Sequence, residues 1–220
     1  MAINSTTRPL PGKQPLAREV VVRHQRERII AALAAEISER GYRAVTVAHV
    51  VNRAGIARRT FYENFSSKDD CFLEAQNFAI SSALKRVIEA AGQSEKWSDQ
   101  VAAGLAAFLD YVVEEPALAH TCMVDALAAG PVAVESYEEA LRPFVALFKL
   151  GRGVSFFGDE LPETTEEAIV GGVFWIVHRR LTRCSVESIV ELLPEIVEFA
   201  LIPYLGAAAA REVSAAQKTG

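Results

Sequence analysis

The chain has 220 residues, half of them hydrophobic, and a net charge of −5. That length can bury the core of one domain or of two small ones. Three widely spaced cysteines (Cys71, Cys122, Cys184) exclude a disulfide framework or a zinc spacing and suit a reducing cytosol.

The longest uninterrupted apolar run, 168–177, is too short for a membrane span, which takes about 20 residues. The N-terminus lacks the apolar stretch of a signal peptide, so none is expected. Charge is unevenly placed. Residues 1–70 carry 12 Lys+Arg against 7 Asp+Glu, and the remaining residues carry 11 against 21. A basic head on an acidic body suggests a DNA-facing end and a body that DNA repels.

In chain order, residues 1–18 hold Pro9, Pro11, Gly12 and Pro15 among Arg8, Lys13 and Arg18, with no period. A flexible basic arm is predicted there, of a kind that can reach a minor groove. A first helix is predicted over about 19–40, where Ile30, Leu33, Ala34 and Ile37 share one face and Gly41 stops it. Thr46 is placed to cap a second helix, in which Val47, Val50, Val51 and Ala54 repeat that spacing up to Gly55. A third follows over 57–63. Ile56 and Phe61 anchor it, and Arg58, Arg59 and Thr60 are left near its exposed end. Ser67 caps a fourth, with Asp69 and Asp70 in its first turn, running to about Ala91. Two short helices joined at a glycine form a helix-turn-helix, a unit that presents one helix to the major groove.

Further helices are predicted over 99–115 (capped by Ser98), 117–129, and 132–150 with a bend at Pro143. After an aromatic loop over 151–162, Thr164 and Glu167 read as a capping box opening the next helix. A last helix is predicted to run from Ser185 to Ile202, with 206–220 as a frayed tail. The expected fold class is all-α: a helix-turn-helix domain over 19–67 and a helical bundle over 68–205.

The threonine opening the second helix, Ala54-Gly55-Ile56 at the turn, Thr60-Phe61-Tyr62, the closing Phe65 and Ser67-Lys68-Asp69 form one pattern. With it, residues 25–75 resemble the TetR family of bacterial transcriptional regulators. Beyond them the likeness rests on helix number and order. Asn64 departs from the histidine common in the family, and Ala57 from a small polar residue or valine.

The resemblance implies a DNA-binding head, and a body that binds a small effector and dimerises through its last two long helices. Thr46, Tyr62 and Lys68 are then expected on phosphates, and Arg58 and Arg59 on base edges, where a guanidinium fork matches guanine O6 and N7. Thr60 is expected on a thymine methyl or a phosphate, and Ala48 and His49 in further contacts. Two heads about 34–36 Å apart would read a near-palindromic operator on double-stranded DNA. The expected pocket draws on Phe78, Phe108, Tyr111, His120, Met123, Phe144, Phe148, Trp175 and His178, and suits an apolar or aromatic effector. Gly171 and Gly172 cost about 1 kcal/mol each in mid-helix relative to alanine. They suit a homodimer seam, together with Leu193, Val197 and Leu201.

No cofactor or metal is expected, because neither His120 nor His178 has a second ligand at i+3 or i+4. No nucleophile elbow, P-loop, zincin or dinucleotide motif is present, so an enzyme is not expected. Adjacent acidic pairs such as Glu166–Glu167 read as solvated face. The chain is expected to be cytoplasmic with no membrane partner. An architectural DNA-binding protein without an effector is the alternative.

Overall fold

The structure, a computed structural model, describes residues 14–217. Every regular element among them is helical. The head contains α1 (Gln14–Arg40), α2 (Val47–Ala54) and α3 (Arg58–Asn64). Helix α1 starts earlier than the sequence spacing suggests, so 14–18 are helical rather than part of an arm. Leu, Ala and Arg there are good helix formers. The rest of the predicted arm lies outside the described residues. Ile29, Leu33 and Ile37 of α1 meet Val50 of α2 and Phe61 of α3 in a fully buried core. Gly41 and Gly55 have φ of 75° and 62°, a left-handed backbone that only glycine adopts at little cost.

The body begins with α4 (Lys68–Ala91), which lies along α5 (Trp97–Glu114). It continues with α6 (Pro116–Met123), α7 (Ala126–Ala129), α8 (Pro131–Lys149), α9 (Thr165–Arg183) and α10 (Leu193–Ala216). One buried apolar cluster runs from α1 to α10 without a break between head and body.

Further sequence readings are corrected. Ser98 is buried inside α5 rather than capping it; the helix starts at Trp97, whose ring packs edge-on against Tyr204 with centroids 4.7 Å apart. The helix expected over 117–129 breaks at Asp125, whose carboxylate is drawn to the head. Thr164 makes no cap bond, because its backbone (φ −85°, ψ 0°) is not in the extended conformation of an N-cap. Residues Val186–Leu192 form a 3-10 turn before α10 rather than its first part.

Another correction concerns the C-terminus. Gly206 (φ 76°) turns the chain, and the expected frayed tail is a second helical arm lying back on the first. Ser214 donates to the Pro194 carbonyl at 2.7 Å, Arg211 pairs with Glu198 at 2.9 Å, and Ala210 is fully buried. Val186–Ala216 as a whole is long and apolar enough to cross a membrane by composition. It is folded here into the 3-10 turn and two antiparallel arms.

Glu166 also corrects its reading as solvated face: it is fully buried. It accepts from Arg152 Nε (2.7 Å) and Nη2 (3.0 Å) and from the Tyr204 hydroxyl (3.0 Å). Arg152 also donates to the carbonyls of Leu161 (2.9 Å) and Pro162 (2.6 Å), which closes the 150–162 loop against α9 and α10.

Candidate nucleic-acid interface and effector cavity

The turn of the head is set by its caps. Thr46 Oγ1 accepts from the His49 backbone N–H at 3.4 Å, and His49 Nδ1 accepts from the Thr46 N–H at 3.3 Å. This is a capping box with histidine in the usual Glu/Gln position. His49 is thus folded back on the backbone rather than reaching outward as the sequence reading expected. Thr46 and Ala48 stand exposed beside it.

Helix α3 is fixed from behind. Arg28 donates to the Ala54 carbonyl at 2.5 Å, and Arg26 to the Asn64 carbonyl at 2.7 Å, with its guanidinium 4.4 Å over the Phe65 ring. Asn64 itself closes α3 by donating to the Thr60 carbonyl at 2.8 Å. On the outer side Arg58, Arg59 and Tyr62 are exposed and Thr60 is half-buried. Arg58 reaches the Tyr62 hydroxyl at 3.4 Å. Arg59 pairs with Glu63 at 2.9 Å, but its side chain is 88% exposed, so the pair is weak and exchangeable. Arg43, in the turn just before α2, is exposed as well.

Lys68 has a different setting from the free phosphate clamp expected. Its ammonium donates to the carbonyls of Tyr42 (2.9 Å) and Val45 (3.1 Å) and lies 3.9 Å over the Tyr42 ring. It clasps the start of α4 to the approach to α2. A second clasp comes from the body: Asp125 Oδ1 accepts from the Tyr42 N–H at 3.2 Å, and Oδ2 faces His120 Nδ1 at 3.0 Å. His120 therefore sits at the joint between body and head, not in the pocket assigned to it. The Tyr42 phenol meets Asp69; burial first, then this carboxylate, push it well above its ordinary value, so it remains a donor.

Asp125→Ala would strip the buried Tyr42 N–H of its acceptor. The variant should lose about 1–2 kcal/mol of stability, measured by chemical denaturation. An unchanged midpoint would mean that this joint is not closed in solution.

Within the body an apolar cleft of about 660 Å³, its open mouth included, lies between α4, α5, α8 and α9. Trp97, Leu105, Phe108, Phe144, Phe148 and Phe174 are among its walls. Adjoining it is a second apolar cleft of about 300 Å³, its open mouth included, lined by Ala79, Ile80, Tyr111, Cys122 and Met123 and sharing Phe108, Phe144 and Phe174 with the first. Of the nine pocket residues expected, Phe108, Tyr111, Met123, Phe144 and Phe148 line these spaces.

Phe78 and Trp175 do not; they are exposed at the surface. His178 stacks on Trp175 with ring centroids 5.5 Å apart and lines neither space. Trp97 and Phe174, which the reading missed, are central. Trp97 was lost because its segment read as loop. Phe174 was lost because its neighbour Trp175 was chosen, and adjacent helical positions point about 100° apart.

The seam residues also divide. Gly171 is exposed with open space around it, whereas a Cβ on Gly172 would lie 2.7 Å from Phe199 Cζ. That glycine is explained by a close approach within the chain. Leu193 is half-buried, but Val197 and Leu201 are fully buried in the chain's own core and cannot form a seam. The apolar groups that α9 and α10 present outward are Trp175, Phe199 and Ile202.

Fold and head together define a helix-turn-helix protein: a short two-helix unit set on a larger helical body with an apolar cavity. Residues 29–75 match the family model of bacterial regulatory proteins of the tetR family, which identifies the head as TetR-type. The fold of the whole is TetR-like. It is similar to the fatty acid degradation regulator FadR from Bacillus halodurans (TM-score 0.73, 16% identity, 80% of this chain and 94% of that one). It is similar to FadR from Bacillus subtilis in complex with stearoyl-CoA (TM-score 0.65, 16% identity, 80% and 98%). It is also similar to the ketosteroid transcriptional regulator KstR2 of Mycobacterium tuberculosis (TM-score 0.59, 16% identity, 80% and 93%). At these identities the likeness is one of fold. Comparison with curated proteins finds no match.

Proposed function

We propose that the chain is a homodimeric, operator-specific repressor that a small, largely apolar effector releases from DNA. The observation that carries this reading is the double role of α4. Its first residue, Lys68, clasps the approach to α2, while Ala79, Ile80, Ala83, Val87 and Ala91 farther along line the two clefts. A ligand that prefers a different packing of α4 against α5 and α8 displaces the clasp and with it the head. The effector weakens DNA binding only by its differential affinity for the two arrangements.

In this reading Arg58 and Arg59 meet base edges, Thr46 and Tyr62 meet phosphates, and Lys68 chiefly positions the turn. Ala48 and Thr60 lie on the same outer face. The dimer forms through the outward side of α9 and α10, where Gly171 and Trp175 stand beside Phe199 and Ile202. Of three proteins of similar fold, one is named for fatty acid degradation, one is in complex with stearoyl-CoA and one is named for ketosteroids, which fits an apolar effector here.

The test is selection of bound duplexes from a random DNA pool by the purified protein at near-physiological salt. An inverted repeat with half-sites about one helical turn apart is expected. Enrichment of A·T-rich sequence without symmetry would favour the architectural alternative and sink the repressor reading.

A further inference from the structure

Tyr42 is the residue at which body and head are joined. It opens the short 3-10 turn Tyr42–Ala44 that leads from α1 to the Thr46 cap of α2, and it is buried. Helix α4 holds it from one side. Lys68 donates to its carbonyl at 2.9 Å and lies over its ring, Asp69 accepts from its hydroxyl, and Phe72 meets the ring edge-on with centroids 4.8 Å apart. Its N–H is held from elsewhere, by the Asp125 carboxylate of the turn between α6 and α7.

Asp125 is itself tied down. It is buried, its Oδ2 faces His120 Nδ1 at 3.0 Å, and its own carbonyl accepts from the N–H groups of Ala128 and Ala129 at 3.0 Å each. The carboxylate therefore reaches Tyr42, 83 positions away in sequence, from a fixed base. Apolar packing of α1 on α4 and α6 is non-directional and lets those surfaces slide. A hydrogen bond to a carboxylate is directional and weakens steeply with misalignment, so it fixes what the packing leaves free. Held by α4 alone, Tyr42 would turn with the head about that helix. The second hold, at the end of α6, removes this freedom. The same helix borders the second cleft: Ala119, Cys122 and Met123 line it, just ahead of Asp125.

We propose that Asp125 is a positioning residue for DNA binding: through the Tyr42 N–H it fixes the angle of the head on the body and so, in the dimer, the spacing of the two reading helices. The role rests on the dimeric regulator proposed above and adds a second lever to α4, by which a ligand that shifts α6 reaches the head.

The experiment is anisotropy titration of the full chain, Asp125→Ala and Asp125→Asn on three duplexes, at a temperature where all three chains are folded. The duplexes are the selected symmetric one, the same duplex with one base pair inserted between its half-sites, and one holding a single half-site. The insertion turns the half-sites apart by about a tenth of a helical turn, which the parent should reject. In Asp125→Ala, affinity for the symmetric duplex is expected to fall about tenfold, with single half-site affinity within about twofold of the parent. Its preference for the symmetric over the lengthened duplex should shrink accordingly. Asp125→Asn keeps an oxygen that accepts from the Tyr42 N–H and should restore most of both. A side chain that only stabilises the fold would lower the melting midpoint and leave these ratios unchanged.

Hydrogen exchange at the Tyr42 amide of the parent, followed by NMR, needs no variant to fold: slow exchange is expected, and exchange at the rate of an open turn would overturn the proposal. Equal binding of the symmetric duplex by parent and Asp125→Ala, an equal loss on all three duplexes, or no rescue by asparagine would also overturn it. These failures, with a symmetric duplex in hand, remove the role of Asp125 alone. Failure to select any symmetric duplex removes the regulator reading and this role with it.

Discussion

A Glu166→Ala chain is expected to be less stable than the parent by about 3–5 kcal/mol near neutral pH, the range for breaking one side of a buried ion pair. The carboxylate is fully buried, and three donors converge on it from the 150–162 loop and α10. Its removal leaves the guanidinium of Arg152 and the Tyr204 hydroxyl facing an apolar gap. Tyr204 also packs on Trp97, so the loss should reach the wall of the effector cleft.

The pH dependence follows in sign. Burial alone would raise the Glu166 carboxyl, but the hydrogen bonds and charge of Arg152, helped by Tyr204, hold it below its ordinary value of 4.5. A depressed folded value means that the stabilisation is complete above that ordinary value and is lost as pH falls through the lower one. Glu36, held down in the head by Arg40 and Arg53 against the same desolvation, adds in the same direction. Denaturant midpoints measured from neutral pH down into this range should fall for the parent and fall less for the variant. A variant within about 1 kcal/mol of the parent near neutral pH would show that the network does not hold the loop.

Replacing Arg58 and Arg59 together with alanine is expected to cost at least about thirtyfold in operator affinity, since each base-reading arginine contributes about 1–3 kcal/mol. Their side chains are exposed and, among the described residues, their polar contacts are with Tyr62 and Glu63 on α3 itself, so folding should be unchanged. The distinguishing sign is a collapse of the ratio between matched and mismatched duplexes. Tyr62→Phe should instead weaken all duplexes by a similar and smaller factor, as for a lost phosphate contact. Affinity unchanged in the double variant, measured by anisotropy on a labelled duplex, would remove α3 from the reading of bases.

The head was legible because each local signal in it agrees with the fold. Gly41 and Gly55 stand where the backbone is left-handed, Thr46 and Ser67 cap where expected, and the apolar spacing of α1 and α2 points at one core. What the residue pattern did not show is which polar side chains turn back onto the backbone. His49 turning back to Thr46, and Lys68 turning to Tyr42 and Val45, are both choices made by backbone acceptors or donors near a turn. In the body the errors come from tertiary pull. Glu166 looks like a surface residue until Arg152, on a loop before it, supplies the charge that lets it be buried. The alanines after Gly206 look like a tail because they carry no stripe of large residues. They are helical, and Ala210 among them is buried as the second arm of α10 lies back on the first, while Ala207 and Ala208 stay exposed. The cavity was half legible: aromatic residues on α5 and α8 pointed to it, whereas the side of α9 that faces it depends on a rotation that the spacing does not specify.

The most direct measurement is the affinity of the purified protein for the selected symmetric duplex, compared with the same duplex scrambled in both half-sites, at near-physiological salt. The account predicts a ratio of about a thousand or more in favour of the symmetric duplex, with two chains bound per site. Equal affinity for both duplexes, with a steep salt dependence common to the two, would show that the head binds backbone without reading sequence and would contradict the account.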